Sequence, residues 1–283
     1  MLQQNRVRRN ALFVVELCDA HTPVFLGAPK PLERELQMAD WFHGRDGLGD
    51  HGYRPQNRSV ESEHAVDAII RTVMATPGIE IVTLGPLTNL ALALARAPKL
   101  VDRVSRCVVM GGAPCCEGNV TPAAEYNIWV DPDAARRVFR SGLPIELVGW
   151  QLCRGPAIIG PADIRAIEEF GTRFGEFAIR ANSTAMEAVH RQTGEIGISL
   201  PDPVAMGILL DSSLCLNATS HYVEIETEGE LTRGMTVVDR LNVASDPRNR
   251  ETWSDALQSG VQASVCWTLD VPRWKTLLLE SLR

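Results

Sequence analysis

The feature that most constrains the fold is an alternation of strand-like and helix-like patterns through the middle of the chain. Apolar runs rich in β-branched residues, typical of buried parallel strands, occupy residues 79–84, 101–110 and 145–148. Helical periodicity separates them, including a helix predicted over 132–141. This β-α-β-α-β order predicts an α/β fold with an open, mostly parallel sheet, helices on both faces and right-handed crossovers.

The rest of the chain extends this pattern without a linker, an internal repeat or a low-complexity tract, so we predict a single domain over residues 1–283. Thr88 or Asn89 is expected to cap the helix that follows the first of the three strands. The other predicted elements are helices at 8–18, 61–75, 161–188, 204–210 and 272–282, strands at 23–28 and 261–268, and a hairpin pairing 222–227 with 236–238.

Charge and composition narrow the class of partner. The formal net charge of −7 offers no electrostatic footprint for nucleic acid or anionic lipid. No apolar run is long enough for a membrane span, and the basic start of the chain leads into a segment too short for a signal peptide. A small, neutral molecule is therefore the expected partner.

Cysteine usage bears on the compartment. The seven cysteines are an odd number and contain no C-x-x-C pair, which predicts reduced thiols and a cytoplasmic location. The neighbouring Cys115 and Cys116 lack a histidine at metal-ligand spacing, so they are assigned no role.

A polar loop after the second strand carries the strongest chemical signal. The apolar run 107–110 ends at a pair of glycines, and Asn119, Glu125 and Asn127 follow before the next helix. Polar loops at the carboxyl ends of parallel strands are where open α/β sheets build ligand sites. Two amides and a carboxylate suit a polyhydroxylated ligand. The alternative is a solvated loop that ends in a helix N-cap at Asp131.

Two further stretches are candidate sites. The run 43–50, HGRDGLGD, lacks the spacing of a dinucleotide-binding loop, so it is interpreted as a surface or lid loop, with a ligand contact from His43 as the alternative. Asp202 lies between Pro201 and Pro203, whose restricted backbone would aim its carboxylate at a metal or ligand. The alternative is a helix N-cap followed by Pro203 in the first turn.

Taken together, the motifs resemble the inosine-uridine preferring nucleoside hydrolase family over nearly the whole chain. The motifs that carry the resemblance are RRNAL, PVFLGAPKPL, HGRDGLGD, LGPLTNLALAL, VVMGGAPCCEGNVTPAAEYNIWVDPDAA, LPDPVAM and TRGMTVVD. The resemblance implies an open α/β fold with bound Ca²⁺, hydrolysis of the N-glycosidic bond of purine or pyrimidine ribonucleosides to ribose and free base, and a homodimer or homotetramer.

The resemblance also implies roles on the substrate side. Asn119, Glu125 and Asn127 would hold the ribose hydroxyls, Met110 would line the sugar, and His43 would face the nucleobase. Glycosidic cleavage passes through an oxocarbenium-like sugar, and hydroxyl contacts that tighten as the ring flattens stabilise it.

On the metal side, the resemblance gives Leu84 as a main-chain carbonyl ligand of calcium, Asp202 as a carboxylate ligand, and Asn10 near the metal-bound water. One departure concerns this site: the family's D-T-D-P-G-x-D-D motif does not occur in the chain. We therefore expect the first β-α-β unit to be missing and calcium binding to be weak or absent. Two hypotheses follow: a truncation at Met1 of an active hydrolase, or an inactive relative that binds ribose or nucleosides or forms oligomers.

A second departure concerns the acid that protonates the leaving base. Some family members carry a histidine directly before the aspartate, where this chain has Pro201. His190, near the end of the helix predicted over 161–188, is a candidate substitute, so that the predicted catalytic set is Asn127, Glu125 and His190. The alternative is an exposed histidine favoured by the helix dipole. The sequence leaves the base preference open.

Overall fold

A central sheet organises the structure, a computed structural model that describes residues 2–249, 251, 253–254 and 260–283. In chain order the strands are β1 (Ile79–Thr83), β2 (Val104–Met110), β3 (Ile145–Val148), β4 (Cys215–His221), β5 (Val223–Ile225), β6 (Thr236–Val238) and β7 (Ala263–Leu269). The main sheet has the order β1-β2-β3-β7-β4, and its neighbours are parallel except for β4 against β7. The predicted mostly parallel sheet is confirmed.

The second strand explains why its sequence is apolar without alternation. Cys107 and Val109 belong to a hydrophobic cluster on one side of the sheet, while Val108 and Met110 belong to a cluster on the other. All four side chains are buried. A strand covered by helices on both faces needs apolar residues at every position. The strand ends at Met110, the last of these four buried residues, and the polar loop follows it.

Helices cover both faces of the sheet. They are α1 (Leu2–Leu17), α2 (Asp40–His43), α3 (Ala65–Ala75), α4 (Thr88–Arg96), α5 (Tyr126–Val130), α6 (Pro132–Phe139), α7 (Pro161–Glu169), α8 (Arg173–Ala181), α9 (Ser183–Thr193), α10 (Pro201–Leu210) and α11 (Val271–Ser281). Short 3₁₀ helices span Pro98–Asp102, Trp150–Cys153, Gly155–Ala157, Ser212–Leu214 and Val243–Ser245. Within the described ranges, no helix is both long and apolar enough to cross a membrane.

The long helix predicted over 161–188 is wrong, because three helices occupy this region. Gly171 has a φ of 61° and ends the first of them. Thr172 then caps α8 by accepting a hydrogen bond from the Gly175 N–H at 3.1 Å. A second break at Asn182 separates α8 from α9. The apolar spacing continued across both breaks, whereas the left-handed glycine and the cap stop the helical hydrogen bonds.

Two strand predictions fail in opposite ways. The strand expected over 23–28 is reduced to an isolated bridge between Leu26 and His64. By contrast, β4 was not predicted, since its sequence, CLNATSH, is polar and largely exposed. It is an edge strand held by pairing with β7 rather than by an apolar face. The predicted hairpin is confirmed as β5 and β6.

The cap predicted for α4 is also wrong. Leu87 is the N-cap and offers no side-chain oxygen. Thr88 instead donates from its hydroxyl to Asp131 Oδ2 at 2.6 Å, and Asn89 accepts from a backbone N–H in an earlier loop. Asp131 does cap α6, accepting from the Ala134 N–H at 3.0 Å. One aspartate thus joins two helices beneath the loop that follows β2.

The expectation that every cysteine is reduced is wrong for one pair. Cys215 on β4 and Cys266 on β7 form a disulfide between neighbouring strands. The remaining cysteines are free: Cys18, Cys107, Cys115, Cys116 and Cys153.

Candidate active site

A cavity of about 340 Å³ lies at the carboxyl ends of the parallel strands. Met110 is the last residue of β2, and Leu84 and Trp150 follow the ends of β1 and β3. This is the edge at which open α/β sheets bind ligands. Most of the residues predicted for the site line this one cavity: His43, Leu84, Met110, Asn119, Glu125, Asn127 and Asp202.

One wall of the cavity consists of Asn119, Glu125 and Asn127, here called the polar wall. Glu125 anchors it, with Oε2 accepting from the Gly112 N–H at 2.8 Å and Oε1 accepting from the Asn127 N–H at 2.9 Å. The second contact makes Glu125 the N-cap of α5. Both carboxylate oxygens are thereby fixed, and each keeps lone-pair capacity for a ligand hydroxyl.

The turn that feeds this wall requires glycine. Gly112 has a φ of 75°, and a Cβ there would lie 2.3 Å from the Thr236 side-chain oxygen. Only glycine tolerates both the left-handed backbone and this close approach. The pair of glycines after the second strand is therefore a structural requirement for bringing the Gly112 N–H to Glu125.

Burial gives Glu125 unusual acid–base character. Glu125 is only 3% exposed to solvent. Removal from water raises the pKa of Glu125 to about 7, against the opposing effect of hydrogen bonds from backbone N–H groups. The negative charge of Asp202, on the other side of the cavity, also raises the pKa of Glu125.

The amides of the polar wall are oriented by their own hydrogen bonds. Asn127 Nδ2 lies 3.1 Å from Met110 Sδ and 3.3 Å from the Met110 carbonyl oxygen. Asn119 Oδ1 accepts from the Tyr126 N–H at 2.9 Å. These contacts hold the two amides at the end of β2, as the sequence predicted for a loop that binds a polyhydroxylated ligand.

Asp202 occupies the opposite side. It lies in the first turn of α10, but Leu200 is the N-cap and Pro201 the first helical residue, so the interpretation of Asp202 as an N-cap is wrong. Burial raises the pKa of Asp202 to about 6. No hydrogen bond or ion pair to its carboxylate occurs among the residues that the structure describes. An unpaired, partly buried carboxylate is suited to a ligand or cation.

The cavity offers few oxygen ligands for the calcium ion that the family resemblance implies. Calcium takes six to eight oxygen ligands. Asp202 and Leu84 both line the cavity, as the resemblance implied. Over the described part of the chain, no three His, Cys, Asp or Glu side chains are grouped to hold a metal. These residues alone do not fit a complete calcium shell.

Aromatic side chains form the third side. Trp41, Phe42 and His43 come from α2, within a segment called here the aromatic loop (residues 37–46), and all three line the cavity. Phe42 makes edge-on contacts with both neighbours, at ring distances of 5.4 and 4.8 Å. Desolvation by the surrounding cavity residues, followed by the charge of Arg6, lowers the pKa of His43, although the residue itself is exposed. A neutral imidazole beside aromatic rings suits a flat, uncharged heterocycle.

Several of these aromatic residues were not predicted from the sequence. Trp41 and Phe42 directly precede the HGRDGLGD run. Trp150 follows Gly149, the first residue after β3. Their positions next to a predicted site motif and at a strand end were the available signals. Tyr126, between Glu125 and Asn127, also lines the cavity.

Two predicted residues are not brought to the cavity. Asn10 donates from Nδ2 to the Asp46 carbonyl oxygen at 2.8 Å, and so contacts the Gly-rich loop rather than the expected metal-water region. His190 is exposed near the C-terminal end of α9. Neither is among the residues that line the cavity. The placement of His190 matches the alternative of a histidine at a helix end.

Comparisons with known proteins agree with this architecture. The family model of the inosine-uridine preferring nucleoside hydrolases matches residues 2–276. The pyrimidine-specific ribonucleoside hydrolase RihB of Escherichia coli K12 is 35% identical over 241 residues, covering 85% of this chain and 76% of that protein. The plant nucleoside hydrolase PpNRh1 superposes with a TM-score of 0.89 at 31% identity, covering 99% of this chain and 86% of that one.

A further solved structure, the purine-preferring ribonucleoside hydrolase from Gardnerella vaginalis, has a TM-score of 0.84 at 28% identity, with 98% of this chain and 85% of that chain covered. The sequence match and the structural matches both extend over nearly the whole chain. The chain therefore belongs to the inosine-uridine preferring nucleoside hydrolase family, whose members are N-glycosyl hydrolases.

Proposed function

We propose that the cavity binds a ribonucleoside and hydrolyses its N-glycosidic bond to give ribose and free base. The observation that carries the proposal is the convergence of Asn119, Glu125, Asn127 and Asp202 on one cavity with an aromatic side. Its volume falls in the range of small-ligand sites. The polar residues match a sugar, and the aromatic residues match a base.

The polar wall is assigned to the ribose. Glu125 accepts hydroxyl hydrogen bonds while two backbone N–H groups hold its carboxylate. As the bond from the anomeric carbon to the base nitrogen breaks, positive charge develops on the sugar, and a nearby carboxylate stabilises it in a site removed from water. Water supplies the oxygen to the anomeric carbon, and the departing base takes the bonding electrons and a proton.

The aromatic loop is assigned to the base. Stacking on Trp41 or Phe42 requires a flat ring and tolerates several bases. The neutral His43 can donate or accept one hydrogen bond. Since the relatives at 35% identity are named pyrimidine-specific, we propose uridine and cytidine as the preferred substrates over inosine.

The test measures ribose release from uridine, cytidine, inosine and 2′-deoxyuridine by the purified chain, with added Ca²⁺ and with a chelator. Release from ribonucleosides, and much weaker release from the deoxynucleoside, is expected because the polar wall binds the diol. Equal rates for uridine and 2′-deoxyuridine would overturn the assignment of this wall. No release under either metal condition would overturn the hydrolase proposal.

A second candidate is a non-catalytic nucleoside-binding protein. It is favoured by the incomplete set of metal-ligating carboxylates in the described residues. Calorimetric titration with uridine separates the two: heat of binding without product, with added Ca²⁺, supports the second candidate. Binding accompanied by ribose release supports the first.

The cytoplasmic location and the oligomeric state of the protein remain predictions. The homodimer or homotetramer implied by the sequence is tested by sedimentation velocity of the purified chain. The Cys215–Cys266 disulfide bears on the cytoplasmic prediction, because disulfides persist mainly in oxidising compartments. Intact mass of the protein from its natural host, before and after reduction, tests both the bond and the compartment.

A further inference from the structure

We propose that Arg6 is a positioning residue that fixes the aromatic loop against the cavity and thereby sets recognition of the base. The inference rests on the proposed function, since it assigns the base to this loop. Arg6 lies on α1, outside the cavity lining, and acts through Trp41, Phe42 and His43.

The guanidinium of Arg6 joins the first residue of α2 to the segment that follows the helix. Its Nη1 atom donates to Asp40 Oδ1 at 2.6 Å and to the Arg45 carbonyl oxygen at 2.7 Å. Its Nη2 atom approaches Met38 Sδ at 4.0 Å. The Arg6 side chain is 18% exposed and the Asp40 side chain 44%, so only the Arg6 end of this ion pair is shielded from solvent. A planar fork of donors can make all these contacts at once.

Two other residues complete the attachment. Asn10, one helical turn after Arg6, donates to the Asp46 carbonyl oxygen at 2.8 Å. From the opposite side, the Tyr126 hydroxyl donates to the Gln37 carbonyl oxygen at 2.8 Å. Tyr126 directly follows Glu125, so the aromatic loop is attached both to α1 and to the polar wall. The role of Asn10 is thus attachment of the loop.

The aromatic loop has little internal support. Its helix, α2, has four residues, and none of them is buried. Beyond it, Gly44 and Gly47 have φ angles of 81° and 77°. A short helix beside left-handed glycines loses little enthalpy on opening, so its order depends on external contacts. Arg6 supplies more of these contacts than any other single side chain described.

Arg6 also acts electrostatically. Its positive charge, after burial, is the second cause that lowers the pKa of His43. The geometry and the charge have separable consequences. Lysine retains the charge but cannot span Asp40 and the Arg45 carbonyl as a fork.

The experiment compares Arg6→Ala, Arg6→Lys and the control Arg8→Ala. Arg8 lies on the same helix and makes no hydrogen bond to the aromatic loop among the described residues. The readouts are kcat and KM for uridine and inosine, and Ki for D-ribose, which carries no base. We expect R6A to raise KM for the nucleosides about tenfold, equivalent to about 1.4 kcal/mol, with a smaller change in kcat and in the Ki of ribose. R8A should match the wild type.

Two measurements do not depend on activity. Nuclear magnetic resonance should show a higher pKa for His43 in R6A and a smaller rise in R6K, which keeps the positive charge. Trypsin should cleave faster after Arg45, whose side chain is 91% exposed, in both R6A and R6K, because the loop opens more often. If R6A proves unstable, Asp40→Asn removes the same ion pair from the other partner and is scored by the same readouts.

Equal losses for nucleosides and ribose in R6A would overturn the proposal, because they would indicate a general effect on the fold. The proposal is also overturned if R6A resembles R8A in nucleoside KM, His43 titration and trypsin cleavage. If the wild type neither cleaves nor binds nucleosides, the proposed function fails. The titration and the proteolysis then still decide whether Arg6 fixes the loop.

Discussion

The polar wall and the aromatic loop face one cavity but are built differently. The polar wall follows a strand buried on both faces, and backbone N–H groups hold its carboxylate. The aromatic loop is held by side chains from other elements, chiefly Arg6, Asn10 and Tyr126. A wall fixed by the main chain can bind a constant group such as ribose. A loop fixed by replaceable side chains can change its specificity without changing the fold.

The largest expected effect lies in the polar wall. Replacing Glu125 by Ala removes a fixed acceptor from the sugar, and we expect kcat for uridine to fall by about 10² to 10³-fold. Glu117→Ala is the matched control, because this exposed carboxylate pairs with Arg154 outside the main cavity. Steady-state assays of both variants check the prediction. A loss below about tenfold in E125A would show that the wall does not act on the sugar.

The difference in burial also predicts a pH effect on stability. Glu125 has a folded-state pKa of about 7, above the ordinary glutamate value of 4.5. Between these values the folded chain retains a proton that the unfolded chain has released, so this group's stabilising contribution is complete below about pH 4.5 and is lost as the pH rises towards 7. The loss is roughly 3 kcal/mol for a shift of this size.

Urea unfolding of the wild type and Glu125→Gln at several pH values checks this effect. The free energy of unfolding of the wild type minus that of E125Q should decrease from pH 4.5 to 7 and level off above it. Carboxyl groups that do not interact with Glu125 cancel in this difference. A difference that stays constant with pH would contradict a raised pKa at Glu125.

The difference between the polar wall and the aromatic loop also explains which site residues could be predicted from the sequence. Asn119, Glu125 and Asn127 were predicted together because a polar loop follows the end of a buried strand at one edge of a parallel sheet, and the family resemblance added Met110. The contacts of Arg6 and Asn10 join residues more than thirty positions apart through side chains. No periodicity encodes such contacts, so the contact of Asn10 with the Asp46 carbonyl was not predicted.

The fold shows the same limit. Strands such as β1 and β3 were predicted because burial on both faces requires continuous apolar sequence. The edge strand β4 is exposed, and its order comes from pairing with β7, which is distant in the chain. The breaks between α7, α8 and α9 depend on backbone conformation at Gly171 and Asn182, and the apolar spacing continued through both.

A smaller effect is expected when an aromatic residue is removed from the loop. Trp41 is 46% exposed, so Trp41→Ala should change the free energy of unfolding by less than about 0.5 kcal/mol. Loss of one stacking surface should raise KM for uridine about fivefold, the low end for a partly exposed ring. Kinetics and thermal unfolding of W41A test this. An unchanged KM would place the base elsewhere in the cavity.

The smallest expected effect has the opposite pH sign. The folded-state pKa of His43 lies below the ordinary histidine value of 6.5, because desolvation by the cavity residues and then the charge of Arg6 disfavour the charged ring. The unfolded chain therefore binds a proton at a pH where the folded chain does not, and the contribution of His43 to stability, complete above about pH 6.5, falls as the pH drops through the folded-state pKa. Comparing wild type with His43→Gln by urea unfolding between pH 7.5 and 5 should show a decreasing difference. Since Glu125 produces an increasing difference over the same acid direction, the two variants measured side by side separate the loop from the wall.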